Sequence, residues 1–469
     1  MTLDSNPELP PSALSRRRAL TALASVATLA ACGTMPPMTD TAPIVFVHGN
    51  GDAVAVWLTT WWRFESNGWP VERLSAIDIP YPLARDDDRV AQEGRSGTVD
   101  CMRALSAHVD AVLARTGAPR VVLIGNSRGG YAIRNYIANG GGASKVSHVV
   151  LGGTPNHGVW ADAALRAGSE FNGAGPFLAA LNAPKDPAGN EVTPGIAWTT
   201  LRSDHNDKYA QPDGVWIGSP GKPTFVSHDG PALKGADNRV LAGVDHRETS
   251  FSPLAFAHAY RFITGREPST TGITPQASVT LNGTLSGLGV DNQPTRGGAA
   301  TNLPLAGAQL AVFRCDPLTG ERAGPALLRK TIVANAPWGP LQTSGDAPLE
   351  FAITAAGYAT THIYRSPFPR SSSIVSLRAE TWAAADRDAK ALVVFQRPRG
   401  YFGVPRDRIS LDGVSPPAGL PSGVAGLSSA KLKLADETPR TVVAEFNGDR
   451  IAARTWAADE GHVTYIELH

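Results

Sequence analysis

Cysteine is scarce in this chain of 469 residues, which contains only Cys32, Cys101 and Cys315. Cysteines so far apart exclude a disulfide framework and the close spacing of a metal site, and we expect neither a metal nor an organic cofactor. An excess of charge is also lacking, because the formal net charge at pH 7 is +1. Nucleic-acid-binding proteins carry a clustered basic excess, so we expect no nucleic-acid partner.

Long apolar runs are lacking as well, and no segment beyond the N-terminus is long enough to span a membrane. At the N-terminus, arginines precede a short apolar segment (residues 19–31), which resembles a twin-arginine export signal. The segment ends in Leu-Ala-Ala-Cys and resembles a bacterial lipobox, in which Cys32 is lipidated after cleavage. We therefore expect an export signal (1–32), a tether (33–42) and membrane anchoring in the cell envelope. Ordinary cleavage near Ala31, giving a secreted protein, is the alternative.

Short apolar runs alternate with helical patterns between residues 43 and 266, which we call the α/β region. This alternation predicts a parallel sheet covered by helices on both faces. The predicted strands are 43–49, 119–125, 146–153, 195–203 and 238–246, and the predicted helices are 98–117, 129–142 and 253–265.

The pattern changes after residue 266. Residues 267–275 are rich in proline and threonine, and this composition predicts a linker. Beyond it, short apolar runs separated by Gly, Pro and Asp are typical of antiparallel β-sheets. We expect one or two β-sandwich modules, at 276–380 and 381–469, and call residues 276–469 the C-terminal region.

The sequence VVLIGNSRGG (121–130) runs from a buried strand into a turn with Ser127 between glycines. The glycines allow a sharp strand-to-helix turn that exposes the serine hydroxyl above the edge of the sheet. A serine without chemical significance in a turn is the alternative. The strand before it and the helix after it favour a nucleophile.

A serine hydroxyl needs a base, and the base needs an orienting acid. In this class of site the chain order is Ser, Asp or Glu, then His. His246 follows the last predicted strand and is our candidate base, with His228 as the main rival. The preceding loop offers two candidate acids, Asp204 and Asp207.

The negative charge that develops on a carbonyl oxygen during nucleophilic attack needs backbone donors held in place beforehand. We expect one donor to be the N–H of Arg128, directly after the candidate nucleophile. The loop after the first strand supplies the second, for which we choose Asn50. His48 precedes the serine, which breaks the expected chain order, and we assign it to supporting this loop.

These segments together resemble the α/β-hydrolase fold, and within it secreted bacterial lipases and polyhydroxyalkanoate-depolymerase-like esterases. The resemblance covers residues 43–266 and implies a mostly parallel sheet with helices on both faces. The matching segments are VHGNGD (47–52), GNSRGG (125–130), GGTPNHG (152–158), TTLRSDHND (199–207) and GVDH (243–246).

The resemblance also implies roles for individual residues. Related enzymes often carry the acid a few residues before a proline such as Pro212, which favours Asp207 over Asp204. Their Thr-Pro-x-x-Gly stretch lines the substrate cleft, which places Thr154 and His157 there without a catalytic role. Lipases often have histidine at the position of Asn126, so this residue favours a general esterase.

The segment after the candidate oxyanion loop is rich in tryptophan, with Trp57, Trp61, Trp62 and Trp69. In one interpretation, these tryptophans form an aromatic rim that binds an acyl chain or polymer, and Trp57 contacts the substrate. Packing of a helix against the sheet is the other, which we favour for at least two of the four. Residues 158–195 form either a small cap over the site or the connection between two strands.

The sequence thus predicts an exported serine carboxylester hydrolase acting through Ser127, His246 and Asp207 on acyl or hydroxyalkanoate esters. Its substrate is an ester in an insoluble lipid or polyester, to which the C-terminal region attaches the enzyme. A surface-anchored binding lipoprotein with an inactive hydrolase scaffold is the alternative. A peptidase or amidase on the same scaffold is a further one, because a fold does not determine the substrate.

Overall fold

Residues 41–289 and 300–469 are described by the structure, a computed structural model. These described residues belong to one compact unit. The expected export signal (1–32) with Cys32, and all but the last two residues of the expected tether (33–42), lie outside the described residues.

In the described part of the α/β region, six strands form a parallel sheet in the order β2-β1-β3-β4-β5-β6. They are β1 (Ile44–Val47), β2 (Leu74–Ile77), β3 (Val121–Asn126), β4 (Val146–Gly152), β5 (Ala197–Ser203) and β6 (Asp237–Leu241). Every residue of β1 and β3 is buried. Such continuous burial follows from helices that cover both faces of a parallel sheet.

Local sequence signals account for the ends of the main helices. Helix α2 stops at Gly117, whose φ of 67° is a left-handed conformation that glycine adopts without strain. Helix α6 begins behind Ser252, whose side chain accepts a hydrogen bond from the backbone N–H of Ala255. The helices are α1 (Leu58–Ser66), α2 (Thr98–Thr116), α3 (Arg128–Asn139), α4 (Pro176–Leu181), α5 (Glu248–Phe251) and α6 (Pro253–Thr264). Short 3₁₀ helices are Val54–Trp57, Val71–Arg73, Gly142–Ser144, Val215–Ile217 and Ala384–Asp386.

The strand order reverses between β1 and β3, since β2 lies on one side of β1 and the later strands lie on the other. Ligands in open α/β sheets bind at such a reversal, beyond the carboxyl ends of the strands. Ser127 directly follows β3, and Asn50 lies in the loop after β1, at the same edge of the sheet. Asp207 and His246 follow β5 and β6, so the topology brings all four candidate residues to one edge of the sheet.

The C-terminal region is built of β-strands. In its described part these are β7 (Ser278–Leu281), β8 (Leu285–Leu288), β9 (Ala300–Pro304), β10 (Gln309–Arg314), β11 (Leu328–Thr331), β12 (Leu341–Ser344), β13 (Leu349–Thr354), β14 (Thr360–Arg365), β15 (Leu377–Arg378), β16 (Ala391–Gln396), β17 (Ile409–Leu411), β18 (Ser429–Leu434), β19 (Thr441–Phe446), β20 (Asp449–Arg454) and β21 (His462–Glu467). Most of their pairings are antiparallel, as expected.

One large sheet runs through the whole C-terminal region. Its order is β11-β10-β13-β14-β21-β16-β18, and β21 pairs in parallel with both of its neighbours. The boundary expected at residue 380 therefore falls within a single sheet, because the last strand of the chain inserts between strands on either side of that boundary. Side chains of β16 and β21 pack against the separate sheet β17-β19-β20, while those of β10 and β13 pack against β7 and β8.

The tryptophan-rich segment is part of the core. Trp57 is 0% exposed and its ring centroid lies 5.1 Å from that of Phe46 on β1. Trp62 donates a hydrogen bond from Nε1 to the carbonyl oxygen of Ser371 at 2.9 Å and packs edge-on against Phe368. Helix α1 thus packs against the sheet with one face and against the C-terminal region with the other.

The predicted elements of the α/β region agree with the observed ones to within a few residues, with one larger difference. The strand expected at 238–246 ends at Leu241, because Gly243 has a φ of 75° and turns the chain. The last predicted residues of that strand form a loop instead. The pattern analysis did not identify β2.

Three further properties concern the residues that the structure describes. Among them, no helix is long and apolar enough to cross a membrane. In the same residues, no group of three or more His, Cys, Asp and Glu side chains is placed to hold a metal ion. Cys101 and Cys315 are buried free thiols.

We expect Trp57→Ala to lower the free energy of unfolding by about 3–5 kcal/mol, because it leaves a cavity beneath the sheet. Urea denaturation measures the change. Val71→Ala serves as the control, since Val71 is 56% exposed and its truncation should change stability by less than about 0.5 kcal/mol. Equal losses in the two variants would contradict the core position of Trp57.

Candidate active site

The turn at Ser127 is a strained junction between β3 and α3. Ser127 has a φ of 51° and a ψ of −120°, a conformation that costs a non-glycine residue about 1–3 kcal/mol and persists only where the surroundings impose it. Gly129 allows α3 to approach β1, because a Cβ there would lie 2.3 Å from the carbonyl oxygen of Val47. The glycines therefore serve close packing, and that packing imposes the strained conformation of the serine.

Hydrogen bonds hold the backbone of Ser127 on both sides. Its N–H donates to the carbonyl oxygen of Gly152 at 2.8 Å. Its carbonyl oxygen accepts from the hydroxyl of Thr154 at 3.1 Å and from the N–H of Gly130 at 3.0 Å. Strand β4 and the loop after it thus fasten the turn, and the residue Ser127 is 9% exposed.

His246 and Asp207 form a buried pair. Nδ1 of His246 donates to Oδ2 of Asp207 at 2.8 Å, and Oδ1 of the same carboxylate accepts from the N–H of Tyr209 at 2.8 Å. The ring of Tyr209 packs edge-on against the imidazole, with centroids 4.5 Å apart. Nε2 of His246 is buried and has no hydrogen-bond partner among the described residues. The imidazole is therefore oriented at one nitrogen and available at the other.

A cavity of about 180 Å³ brings Ser127 and His246 together on its wall. Asn50 also lines it, from the loop after β1. The aromatic rings of Trp160, Phe171, Tyr209 and Tyr401 contribute further, as do the charged residues Asp52, Arg85, Asp86, Arg95, Arg166 and Arg247. The lining thus combines aromatic and charged side chains.

Asp204, the other candidate acid, supports a turn. Its carboxylate accepts hydrogen bonds from the N–H of Asn206 at 3.1 Å and from the N–H of Gly243 at 2.9 Å. Burial opposes ionisation, but these hydrogen bonds outweigh it and hold the pKa of Asp204 below its ordinary value. Asp204 thus joins the loop after β5 to the loop after β6. Its carboxylate contacts neither ring nitrogen of His246 in the hydrogen bonds of the described residues.

The other histidines lie in different environments. His228 is exposed, and its ring contacts His205. Nδ1 of His258 accepts from Arg261 at 2.9 Å on the outer helix α6. His48 supports the loop after β1, as expected from its position, because Nε2 accepts from the N–H of Ile79 at 3.0 Å.

The two candidate oxyanion donors flank the serine. Arg128 is the first residue of α3, and the first N–H groups of a helix have no acceptor within that helix. Asn50 is exposed on the cavity wall, and its side-chain oxygen accepts from the N–H of Ala84 at 2.7 Å. That bond joins Asn50 to the segment of Ala84, which lines the same cavity.

The Arg128 side chain has a structural partner that the sequence analysis missed. It forms a double hydrogen bond with the buried carboxylate of Glu170, with both distances 2.7 Å. Burial alone would lower the pKa of Arg128, but the attraction of Glu170 outweighs it and raises that pKa above its ordinary value. A buried arginine beside the nucleophile signals a carboxylate partner, but Glu170 lies 42 residues away and no local pattern identifies it.

Residues 158–195 both connect β4 to β5 and form one wall of the cavity. Val159, Trp160 and Phe171 line it, and the Arg128–Glu170 ion pair ties this wall to α3. Helix α4, within the same segment, packs Leu178 and Leu181 against Tyr131. Helix α4 therefore lies against α3, and the earlier half of the segment lines the cavity.

Thr154 and His157 line a second cavity of about 320 Å³, which shares His246, Pro155 and Tyr209 with the first. Nε2 of His157 is 3.1 Å from a carboxylate oxygen of Glu191. Trp57 lines neither cavity. The assignment of Trp57 to substrate contact needs correction, because its ring is fully buried against β1.

Residues 41–168 match the model of the family described as Lipase (class 2). The α/β region resembles the class 2 lipases. Residues 277–382 match the model described as Lipase C-terminal domain. The α/β region has the α/β-hydrolase fold, and β-sheets follow it in the C-terminal region. With these two matches the chain resembles carboxylic ester hydrolases.

Solved structures of lipases and related proteins are also similar to the chain. Lipase BlEst2 of Bacillus licheniformis in its mature form is 20% identical, with 49% of this chain and 94% of that one covered and a TM-score of 0.34. The propeptide form of BlEst2 is 14% identical, with 90% and 94% covered and a TM-score of 0.36. The lin2722 gene product of Listeria innocua is 16% identical, with 50% and 98% covered and a TM-score of 0.34.

We expect Asp207→Asn to lower kcat for p-nitrophenyl acetate by about 10³–10⁴-fold, because the amide oxygen stays on the N–H of Tyr209 and the amide NH₂ then faces Nδ1 of His246. This orientation favours the wrong tautomer of the imidazole and leaves the imidazolium without a compensating charge. Asp204→Asn is the matched control. Its amide oxygen can still accept from one of the two backbone N–H groups, and the side chain does not contact His246, so kcat should stay within about tenfold of the unchanged protein. A larger loss of kcat in Asp204→Asn than in Asp207→Asn would reverse the assignment.

Proposed function

We propose that this chain is an exported serine carboxylester hydrolase that uses Ser127, His246 and Asp207. The observation that carries the proposal is the oriented imidazole, since the 2.8 Å bond from His246 to Asp207 leaves Nε2 on the wall of the cavity that Ser127 lines. A strained serine between strand and helix supports the same function. The match to class 2 lipases agrees with ester hydrolysis.

In the first half of the reaction, Oγ of Ser127 attacks the ester carbonyl carbon while Nε2 of His246 takes the hydroxyl proton. Asp207 stabilises the imidazolium that forms. The carbonyl oxygen becomes an oxyanion, for which we assign the N–H groups of Arg128 and Asn50 as donors. The bond to the alcohol oxygen then breaks, His246 returns the proton to the alcohol, and an acyl-enzyme remains.

In the second half, His246 takes a proton from water, and the resulting hydroxide oxygen attacks the acyl carbon. The bond to Oγ breaks as the oxyanion collapses, and the proton returns from His246 to Ser127. The carboxylic acid leaves, and the enzyme is restored. Each step uses the same nitrogen, Nε2, which explains why the opposite nitrogen must be held by Asp207.

The cavity supports a short acyl or hydroxyalkanoate ester as substrate. Charged side chains from the 85–95 segment, Asp52 and Arg247 stand around an aromatic patch of modest size. A long alkyl chain would strip water from these charges without replacing their hydrogen bonds, which is unfavourable. A short chain can lie on Trp160 and Phe171 and leave the charged groups hydrated. An insoluble polyester would then be attacked at accessible chain segments.

The alternative of a binding lipoprotein with an inactive scaffold has less support. A scaffold without catalytic activity is not expected to keep a strained serine and a buried Asp–His pair at one cavity. The amidase alternative differs only in its leaving group, and comparison of p-nitrophenyl esters with p-nitroanilides distinguishes the two.

We expect Ser127→Ala to lower the hydrolysis of p-nitrophenyl esters by at least about 10³-fold, because no other group attacks the carbonyl. Rates are measured for a series from acetate to palmitate, and we expect the highest kcat/KM at acetate to butyrate. A peak at palmitate would instead indicate a lipase of long acyl chains.

The control for this series is a pair of histidine variants. His246→Ala should be as inactive as Ser127→Ala, whereas His228→Ala, a change at an exposed ring, should retain activity. An organophosphonate probe should label Ser127 in the unchanged protein, as mass spectrometry of its peptides can show. Undiminished turnover in Ser127→Ala, or a label elsewhere, would contradict the proposed nucleophile.

We also propose that the chain is anchored in the cell envelope by a lipid on Cys32. The motif Leu-Ala-Ala-Cys behind a twin-arginine segment supports it. A single acyl chain binds membranes only weakly, but the several chains of a lipidated N-terminal cysteine give stable anchoring.

Cys32→Ser should move the protein from the membrane fraction to the soluble fraction of expressing bacteria, because it removes the sulfur that carries the lipid. Cell fractionation followed by immunoblotting measures the distribution. Cys101→Ser is the control, as its buried thiol lies in the folded protein. An unchanged membrane fraction for Cys32→Ser would rule out this anchor.

A further inference from the structure

A loop of the C-terminal region reaches the candidate active site. It lies between β16 and β17, and we call its residues 397–407 the 397–407 loop. Tyr401 of this loop is 4% exposed and lines the cavity that Ser127 and His246 line. The wall of that cavity is therefore completed by a residue far outside the α/β region.

Tyr401 is held among residues of both catalytic loops. Nζ of Lys208, the residue after Asp207, lies 4.2 Å from the centroid of the Tyr401 ring. The guanidinium of Arg247, the residue after His246, lies 4.9 Å from the same centroid. Cations placed over an aromatic ring are attracted by it, so the Tyr401 ring links the loop that carries the acid to the loop that carries the base.

The same loop also fastens the backbone around His246. Asp245, directly before His246, accepts hydrogen bonds from Nη1 of Arg397 at 3.0 Å and from the N–H of Tyr401 at 2.8 Å. Glu248, two residues after His246, accepts from Arg397 and from Arg406, the latter at 2.8 Å. Both ends of the short segment that carries the imidazole are thus bound to the 397–407 loop.

This arrangement is buried and its charges are matched. Asp245 is fully buried, and burial together with the nearby charge of Glu248 raises its pKa, while Arg397 and Arg406 oppose the increase. Its other carboxylate oxygen accepts from the N–H groups of Arg247 and Glu248 at the start of α5. Without the arginines, the buried carboxylate of Asp245 and the partly buried carboxylate of Glu248 would repel each other beside His246.

The 397–407 loop is itself anchored firmly in the C-terminal region. Phe402 packs against Phe395 and Phe446, with ring centroids 5.1 Å and 5.7 Å away. Its N–H donates to the carbonyl oxygen of Leu427 at 2.8 Å. A residue can position another to within a fraction of an ångström only if it is itself rigidly supported.

We propose that the 397–407 loop is a working part of the active site, in which Tyr401 contacts the substrate and Arg397 is a positioning residue for His246. This inference rests on the proposed ester hydrolysis. The C-terminal region then acts in catalysis itself, in addition to any attachment to a surface. Without the 397–407 loop, the segment that carries His246 would keep its bond to Asp207 but lose its bonds to Arg397, Tyr401 and Arg406.

The test compares variants of the full chain in ester hydrolysis, with kcat and KM determined separately. Arg397→Met should lower kcat by about 10–100-fold while KM changes by less than about threefold, because misplacing His246 slows proton transfer more than it weakens binding. Arg397→Lys should recover part of kcat, since it restores one positive charge. Arg440→Met is the matched control, because Arg440 pairs with Asp412 in the same region, away from the cavity.

Tyr401→Ala should lower kcat/KM by about tenfold and change the ratio of rates for acetate and hexanoate esters, because it removes part of the cavity wall. Tyr401→Phe keeps the ring and should retain the ratio. Tyr364→Phe, at a buried tyrosine of the same region, is the control for folding. Thermal melting of every variant sets an assay temperature at which all are folded.

The outcomes separate the inference from the proposed function. If the unchanged protein hydrolyses esters and is labelled at Ser127, but Arg397→Met and Tyr401→Ala behave like their controls, the inference is overturned and the proposed function stands. If KM alone rises in Arg397→Met, the positioning role is overturned. If the unchanged protein neither hydrolyses esters nor reacts with the phosphonate, the proposed function fails and the inference fails with it.

Discussion

The close approach of α3 to β1 is the constraint on which the candidate site depends. It is possible only because Gly129 has no side chain, since a Cβ would collide with the carbonyl oxygen of Val47. The approach forces Ser127 into a positive φ of 51° and so holds its hydroxyl above the sheet. Stored strain of this kind is stable only when the surrounding packing is strong. The buried strands β1 and β3 supply that packing, which explains why the most apolar part of the chain lies directly under its most polar site.

Ion pairs also fix the positions of the residues around the Ser127 turn. Arg128 pairs with Glu170 on one side of the nucleophile, and Arg247 pairs with Asp52 at 2.5 Å on the other. Each pair joins a loop of the cavity wall to the neighbourhood of the serine or the histidine. Buried ion pairs add little net stability, because both partners lose their hydration. Here the ion pairs fix the geometry of the site, because each charged group meets its partner in a single position.

Much of the α/β region and its site followed from local patterns, and particular residues show why. Continuous apolar runs such as VVLIG predict buried strands, and the chain order of Ser127, an aspartate and His246 follows from the way successive loops meet at one edge of a parallel sheet. The choice between Asp204 and Asp207 had no such basis, because both carboxylates lie in the same short loop. The direction of each side chain decides it, with Asp204 turned towards Gly243 and Asp207 towards His246. Proximity in sequence to Asn50 predicts that Trp57 lies in the cleft, yet its side chain is buried against β1.

The sequence by itself determined the alternation of strands and helices, the turn at Ser127 and the set of polar residues that succeed the strands. These depend on contacts between neighbours in the chain, on glycine's lack of a side chain and on the period of apolar residues. Only the tertiary structure decided that β21 inserts between β14 and β16, which makes the two expected β modules share one sheet. It alone placed Tyr401 and Arg397 beside His246, a contact spanning 152 residues between Asp245 and Arg397. Such contacts depend on the complementarity of surfaces formed after folding, and no local pattern of residues encodes them.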